Sequence, residues 1–171
     1  MAKQVYYFYE GETEKKLLSY LKKCELIKAG KLKKHNLWQN GFETKLRLIN
    51  KKDTVFFIID TDKTGNKDIF IKNIETLKSH NAYFTIQHKN LEDELYFSCN
   101  KKNKLSLFQD FYNVSSTNEF KNRFIAESNF EQKLNNNDFD FEKLWSRGAA
   151  EFKQFLNDNH IKIDTACRYK P

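Results

Sequence analysis

Glycine and proline are scarce in this chain. Its 171 residues include 5 Gly and 1 Pro, and the proline is the last residue. So few chain-breaking residues argue against a turn-dense β-sandwich and against a string of linked domains. Cysteine is sparse too: Cys24, Cys99 and Cys167 carry no CxxC spacing. That pattern fits reduced thiols rather than a disulfide framework. No apolar run approaches the roughly 18 residues of a membrane helix, so no membrane span is expected. Glu10 and Glu12 close the first apolar run where a secretory leader would need a small-residue cleavage site. A cytoplasmic protein is expected. Walker, GxGxxG and GxSxG motifs are lacking, which removes support for triphosphate hydrolysis, dinucleotide binding and α/β-hydrolase chemistry. The four histidines show no HxH or HxxxH spacing, which argues against zinc. His88, near a predicted strand end, is the one to watch.

What is present is apolar and basic. Hydrophobic residues make up 39% and aromatics 15%, with 16 Phe, enough for a substantial core. Lys and Arg number 30 against 23 Asp and Glu, a formal net charge of +7. That balance favours an anionic partner, most simply nucleic acid, RNA or DNA. The length suits one domain over 1–171, with a core over about 3–100 and a helical extension over about 101–171.

Val5–Tyr9 and Val55–Ile59 are continuous apolar runs, the pattern of strands buried on both faces. Asn81–His88 reads as a third strand, and Lys31–Trp38 as a lysine-rich edge strand. Apolar spacing predicts helices over Glu14–Cys24, Phe42–Asn50, Ile69–Ser79 and Leu91–Cys99. Strands that each run into a helix predict an α/β fold with a mainly parallel sheet. Further on, Thr117–Ala126 and Phe141–Asn157 read as helices, and Ile161–Ile163 as a closing strand.

The acids gather at predicted strand ends. Glu10 ends the first strand, with Glu14 four residues on. Asp60 and Asp62 end the second strong strand, where alternation would let them converge. Glu92, Asp93 and Glu94 follow the third. Ligands of parallel α/β sheets bind at the carboxyl ends of the strands. Carboxylates packed together repel unless a cation neutralises them. Oxygen donors without His or Cys favour Mg²⁺ or Mn²⁺, and such a pocket in a basic protein suits phosphodiester chemistry.

Tyr9-Glu10-Gly11-Glu12-Thr13-Glu14-Lys15-Lys16-Leu17-Leu18, followed by Ile59-Asp60-Thr61-Asp62-Lys63-Thr64-Gly65, resembles a TOPRIM domain. The resemblance covers roughly residues 3–100 and implies a compact, Rossmann-like fold with a mainly parallel sheet. It is nearest to stand-alone nucleases similar to the OLD-family and RloB-like TOPRIM proteins. It implies a divalent-metal-dependent nuclease of the kind found in RNA processing and in antiphage or abortive-infection systems, where a partner protein is also implied. Glu10 would be the TOPRIM glutamate, acting in acid–base chemistry or as a metal ligand, and Asp60 and Asp62 would hold Mg²⁺. Glu14 matches a further acid of the OLD type. Asn90-Leu91-Glu92-Asp93-Glu94 resembles an acidic motif of the same nucleases, with Glu92 on the metal side. Lys170 stands where some of them use a late lysine. Apart from the resemblance, Lys63 and Lys67 lie just beyond the DxD, in reach of a substrate phosphate, and Lys15 belongs to a lysine-dense stretch that suggests a nucleic-acid track.

Plainer roles compete for the same residues. Glu10 could be a polar turn residue, the DxD a helix cap, and Glu14 a charge favourable to a helix dipole. Asp93 and Glu94 read as solvated helix residues, and single lysines as plain surface. Two other functions fit parts of the pattern. One is a non-catalytic nucleic-acid- or partner-binding module on the same fold. The other is a receiver-type phosphotransfer domain, against which the Glu-Gly start and the paired aspartates argue.

Overall fold

Among the described residues, four strands and eight helices follow one another as β1 (Val5–Tyr9), α1 (Glu12–Lys23), β2 (Lys31–Lys34), α2 (Glu43–Leu46), β3 (Thr54–Ile59), α3 (Lys67–Leu77), β4 (Asn81–Ile86), α4 (Leu91–Ser98), α5 (Lys104–Tyr112), α6 (Thr117–Ala126), α7 (Phe130–Asn135) and α8 (Ala150–Asp158). They are seen in a computed structural model that describes residues 3–62 and 65–163. The strands form one sheet in the order β2-β1-β3-β4, and every pairing is parallel. The α/β architecture and the parallel sheet flanked by helices are as the strand–helix alternation predicts.

Every residue of β1 and β3 is buried, because helices cover both faces of the sheet. Side chains alternate between two cores. Tyr7, Tyr9, Phe56 and Ile58 pack with Leu17, Leu18 and Leu21 of α1. Tyr6, Phe8, Phe57 and Ile59 pack with Phe70, Ile74 and Leu77 of α3. Aromatic rows lock the register on each face. Phe8, Phe57 and Phe84 stack across three strands at 5.1 and 5.4 Å between ring centroids. Tyr7, Phe56 and Tyr83 do the same at 5.2 and 5.4 Å on the other face. Such pairs stabilise strand pairing beyond the area they bury.

The described residues of the extension add to the two cores of the sheet. Phe108, Phe111, Phe120, Phe124, Phe130 and Leu134 of α5 to α7 join the α1 face, and Phe152 and Leu156 of α8 join the α3 face.

Several boundaries differ from the sequence reading. Only Ala150–Asp158 of the expected helix over Phe141–Asn157 is helical. Trp145 (φ +59°) and Gly148 (φ +67°) adopt left-handed backbone, which a right-handed helix cannot contain. The helix expected over Phe42–Asn50 is four residues long, and the chain then tightens into bonds from Leu48 N to Lys45 O and from Ile49 N to Leu46 O. The edge strand stops at Lys34, beyond which the Asn36 side chain accepts from Trp38 N at 2.8 Å and starts a turn. Ile161–Ile163 forms no strand; Ile161 and Ile163 pack against the α3-face core instead. Helices α5 and α7 have no counterpart among the helices that the apolar spacing predicts. The first is marked by a capping box between Asn103 and Ser106.

The α2 region is held by one buried side chain. Asn73 accepts from Phe42 N and donates to the carbonyls of Leu37 and Asn40, each at 2.8 Å. Replacing it by Leu strands all three backbone groups. Asn73→Leu is expected to lower stability by about 3 kcal/mol in urea unfolding, and a loss below about 1 kcal/mol would contradict this account of the β2–α2 loop.

Candidate functional site

The strand order fixes where a ligand can sit. From β1 the chain goes outward to β2, then crosses back to β3 on the other side of β1. The switch point therefore lies between the carboxyl ends of β1 and β3, where a parallel sheet opens a crevice. Glu10 is the first residue after β1 and Asp60 the first after β3. A cleft of about 870 Å³ opens there, lined by Glu10, Gly11, Glu14 and Asp60 on its acidic floor. Lys34, His35, Asn36, Gln39, Asn40 and Lys45 from the β2–α2 region form one wall, and Lys121 and Ile125 of α6 the other.

The acids act on one another. Burial pushes the Glu10 carboxyl up to about 7, with Glu14 and Asp62 adding to the rise and the Asp60 backbone N–H opposing it. Burial, then Glu14 and Glu10, push Asp60 up to about 8. Such shifts mark carboxylates too close, and too dry, to share full negative charge without a cation. Each of the two is nonetheless held. Glu10 Oε2 accepts from Asn36 Nδ2 at 2.6 Å, and Asp60 Oδ1 accepts from Gln87 Nε2. Glu14 lies in the first turn of α1, where the helix dipole favours an anion.

Gly11 has a spatial reason to be glycine. A Cβ there would lie 2.6 Å from Glu14 Oε2. A carboxylate at the end of a flexible side chain can swing away, so Gly11→Ala should leave the fold intact and displace Glu14 from the cleft floor. The expected result is roughly tenfold weaker Mn²⁺ binding by calorimetry, with a thermal midpoint within about 4 °C of wild type. Unchanged binding would place Glu14 outside the site.

The expected convergence of Asp60 and Asp62 does not extend past the strand. β3 ends at Ile59, and Thr61 N and Asp62 N both donate to Lys89 O, at 2.7 and 3.1 Å. Asp62 is exposed and accepts from Asn90 Nδ2 at 2.7 Å. Its charge still reaches Glu10 and Asp60.

The third acidic motif is buried, and each of its acids meets a cation from the extension. Glu92 pairs with Lys121 at 3.4 Å, Asp93 with Lys104 at 2.9 Å and Glu94 with Arg147 at 3.8 Å. Asp93 and Glu94 are therefore not solvated helix residues; they are 4% and 0% exposed. Glu94 also accepts from His88 N at 2.6 Å and Trp145 N at 3.0 Å. Burial raises the Glu92 carboxyl, Lys121 opposes this, and Glu14 adds to it. Glu92 thus senses the acidic floor from behind Lys121.

Of the lysines expected to touch phosphate, Lys15 pairs with Glu12 at 3.2 Å and Lys67 lies 5.4 Å from the Phe155 ring centroid. Neither lines the cleft. Lys63 and Lys170 lie outside the described residues. Among the described residues, the cations lining the cleft are Lys34, Lys45 and Lys121. The histidine at the cleft is His35, not His88. Burial and the charge of Lys45 lower His35 to about 4 and keep it neutral. Asn36, Gln87 and Lys121 carry no motif signal; only the fold brings them to the acids.

Oxygen donors on the acidic floor fit a hard cation in type. Among the described residues no three His, Cys, Asp or Glu side chains form a group that could hold a metal ion by themselves. Mg²⁺ keeps several waters and takes one or two carboxylates, a smaller demand that suits the acids Glu10, Glu14 and Asp60 lining the cleft. Also among the described residues, no helix is long and apolar enough to cross a membrane. No family model, curated protein or solved structure matches the chain.

Proposed function

We propose that the chain is a nuclease of the TOPRIM type that hydrolyses phosphodiester bonds of RNA or DNA with Mg²⁺ or Mn²⁺. What supports this most is the placement of Glu10 and Asp60, two half-buried carboxylates both raised by desolvation and neighbouring acids, at the switch point of a parallel sheet in a protein of net charge +7. Asp60, with Glu14, would hold the cation, and Asp62 would add negative charge from the solvent side. The cation would supply charge neutralisation at the reacting phosphate. Glu10, its carboxyl near 7 and one oxygen held by Asn36, is poised to take a proton from an attacking water at neutral pH. Lys34, Lys45 and Lys121 would hold the phosphate backbone against the cleft walls. Glu92, tied to Lys121, supports that wall instead of supplying a ligand.

A second reading is a nucleic-acid-binding module without catalysis, favoured by the lack of a three-ligand group among the described residues. Binding and cleavage are separated by incubating the protein with tRNA, rRNA, single-stranded DNA and duplex DNA, in Mn²⁺ or EDTA. The nuclease reading predicts metal-dependent fragments that disappear with Asp60→Ala. Retarded but uncut substrate in every lane would support the module.

A further inference from the structure

We infer that Gln87 and Trp145 are positioning residues for Asp60, forming a neutral donor relay that orients its carboxylate in the cleft. The inference rests on the metal-dependent reading of that site.

Gln87 follows directly after β4 and is 0% exposed. Its backbone N–H donates to Ile59 O at 2.9 Å, which fixes its main chain beside the end of β3. Its side chain faces two partners. Oε1 accepts from the indole Nε1 of Trp145 at 3.2 Å, and Nε2 donates to Asp60 Oδ1. An indole N–H can only donate. It therefore sets the amide's orientation, with the carbonyl toward Trp145 and the NH₂ toward Asp60. The relay occupies Oδ1 and leaves Oδ2 as the oxygen available to a cation.

Trp145 is held in a backbone conformation that bulky residues avoid, φ +59°. Its backbone N–H donates to Glu94 Oε2 at 3.0 Å, and the neighbouring Arg147 guanidinium lies 4.4 Å from the Phe97 ring centroid. The chain therefore leaves helical geometry where the indole meets Gln87. The nearby buried acids make the contrast. Glu92, Asp93 and Glu94 each face a Lys or Arg, whereas Asp60 faces an uncharged amide. A cation at that position would neutralise Asp60, while an amide orients it and leaves its charge to be used. Groups behind a first ligand typically tune its affinity by roughly 10–100-fold.

The test is Mn²⁺ titration by calorimetry of the full chain and three variants, each checked by thermal unfolding. Trp145→Phe removes the indole N–H and keeps an aromatic ring, and Gln87→Leu removes the amide. Trp38→Phe is the control, because Trp38 is also buried and its Nε1 has no hydrogen-bond partner among the described residues. The expected result is Mn²⁺ binding weakened roughly tenfold or more by Trp145→Phe and Gln87→Leu, and unchanged by Trp38→Phe. Wild-type affinity in a folded Trp145→Phe, or equal weakening in Trp38→Phe, would overturn the relay alone. A wild-type chain that binds no Mn²⁺ would overturn both the relay and the metal-dependent reading. A metal-free check is the Trp145 indole N–H resonance, which should shift and exchange faster with solvent in Gln87→Leu; an unmoved signal would also overturn the relay.

Discussion

Asp60→Asn is expected to raise stability and remove activity together. The amide keeps the shape of the carboxyl and can still accept from Gln87 Nε2 through Oδ1. It removes a negative charge that burial, Glu14 and Glu10 all disfavour, as the rise of Asp60 to about 8 records. The metal-free variant should therefore unfold a few degrees higher than wild type at pH 8, where the wild-type carboxyl is substantially ionised. Metal-dependent cleavage should fall by a factor on the order of 10³, because the principal anionic ligand has gone. Opposite signs are what separate a functional carboxylate from a structural one. If the DxD aspartate were a helix cap or a turn residue, Asp60→Asn would lower stability or leave it unchanged, and would spare activity. Thermal unfolding in EDTA and cleavage in Mn²⁺, on the same preparation, give both numbers.

The second large effect is a stability that falls as pH rises. Glu10 and Asp60 have folded-state values, about 7 and about 8, above the ordinary 4.5 and 3.8. Their folded forms hold protons that the unfolded chain has already released, so stability is greatest at low pH and is lost as pH rises toward the folded values. His35 works the other way, since its lowered value of about 4 adds stability as pH rises toward 6.5 and nothing further above it. Between pH 6.5 and 8 the two acids therefore dominate, and the metal-free protein should lose about 2 kcal/mol, or roughly 4–8 °C in thermal midpoint. Mn²⁺ should flatten the slope, because a bound cation stabilises the ionised carboxylates that burial penalises. A midpoint that rises over this interval in EDTA, or a fall of equal size with Mn²⁺, would contradict a cation site beside the two acids.

The residues that sequence made legible are those whose signal is local. Val5–Tyr9 and Val55–Ile59 are read as strands because burial on both faces requires every residue to be apolar, and both are. Glu10 and Asp60 are legible because each directly follows such a run, so a parallel sheet puts them at one edge. What brings them together is the order β2-β1-β3-β4, which no local pattern encodes. The misread parts have non-local causes. Asp93 and Glu94 look solvated in a run of charges, yet Lys104 and Arg147, from later in the chain, fold over them. The helix expected through Trp145 has a fair apolar spacing, but contacts from that tryptophan to Glu94 and Gln87 override it. Lys15 and Lys67 lie near the acids in sequence but do not line the cleft. Lys121, 61 positions after Asp60, lines it.

The most direct measurement is cleavage of end-labelled RNA and DNA by wild type, Glu10→Gln and Asp60→Asn side by side, in Mn²⁺ and in EDTA, with folding of each variant verified. A carboxylate site at the β1–β3 switch point predicts fragments from at least one substrate with wild type in Mn²⁺ and none from the other combinations. Cutting that persists in the folded variants or in EDTA, or a wild-type protein that cuts nothing, would contradict it.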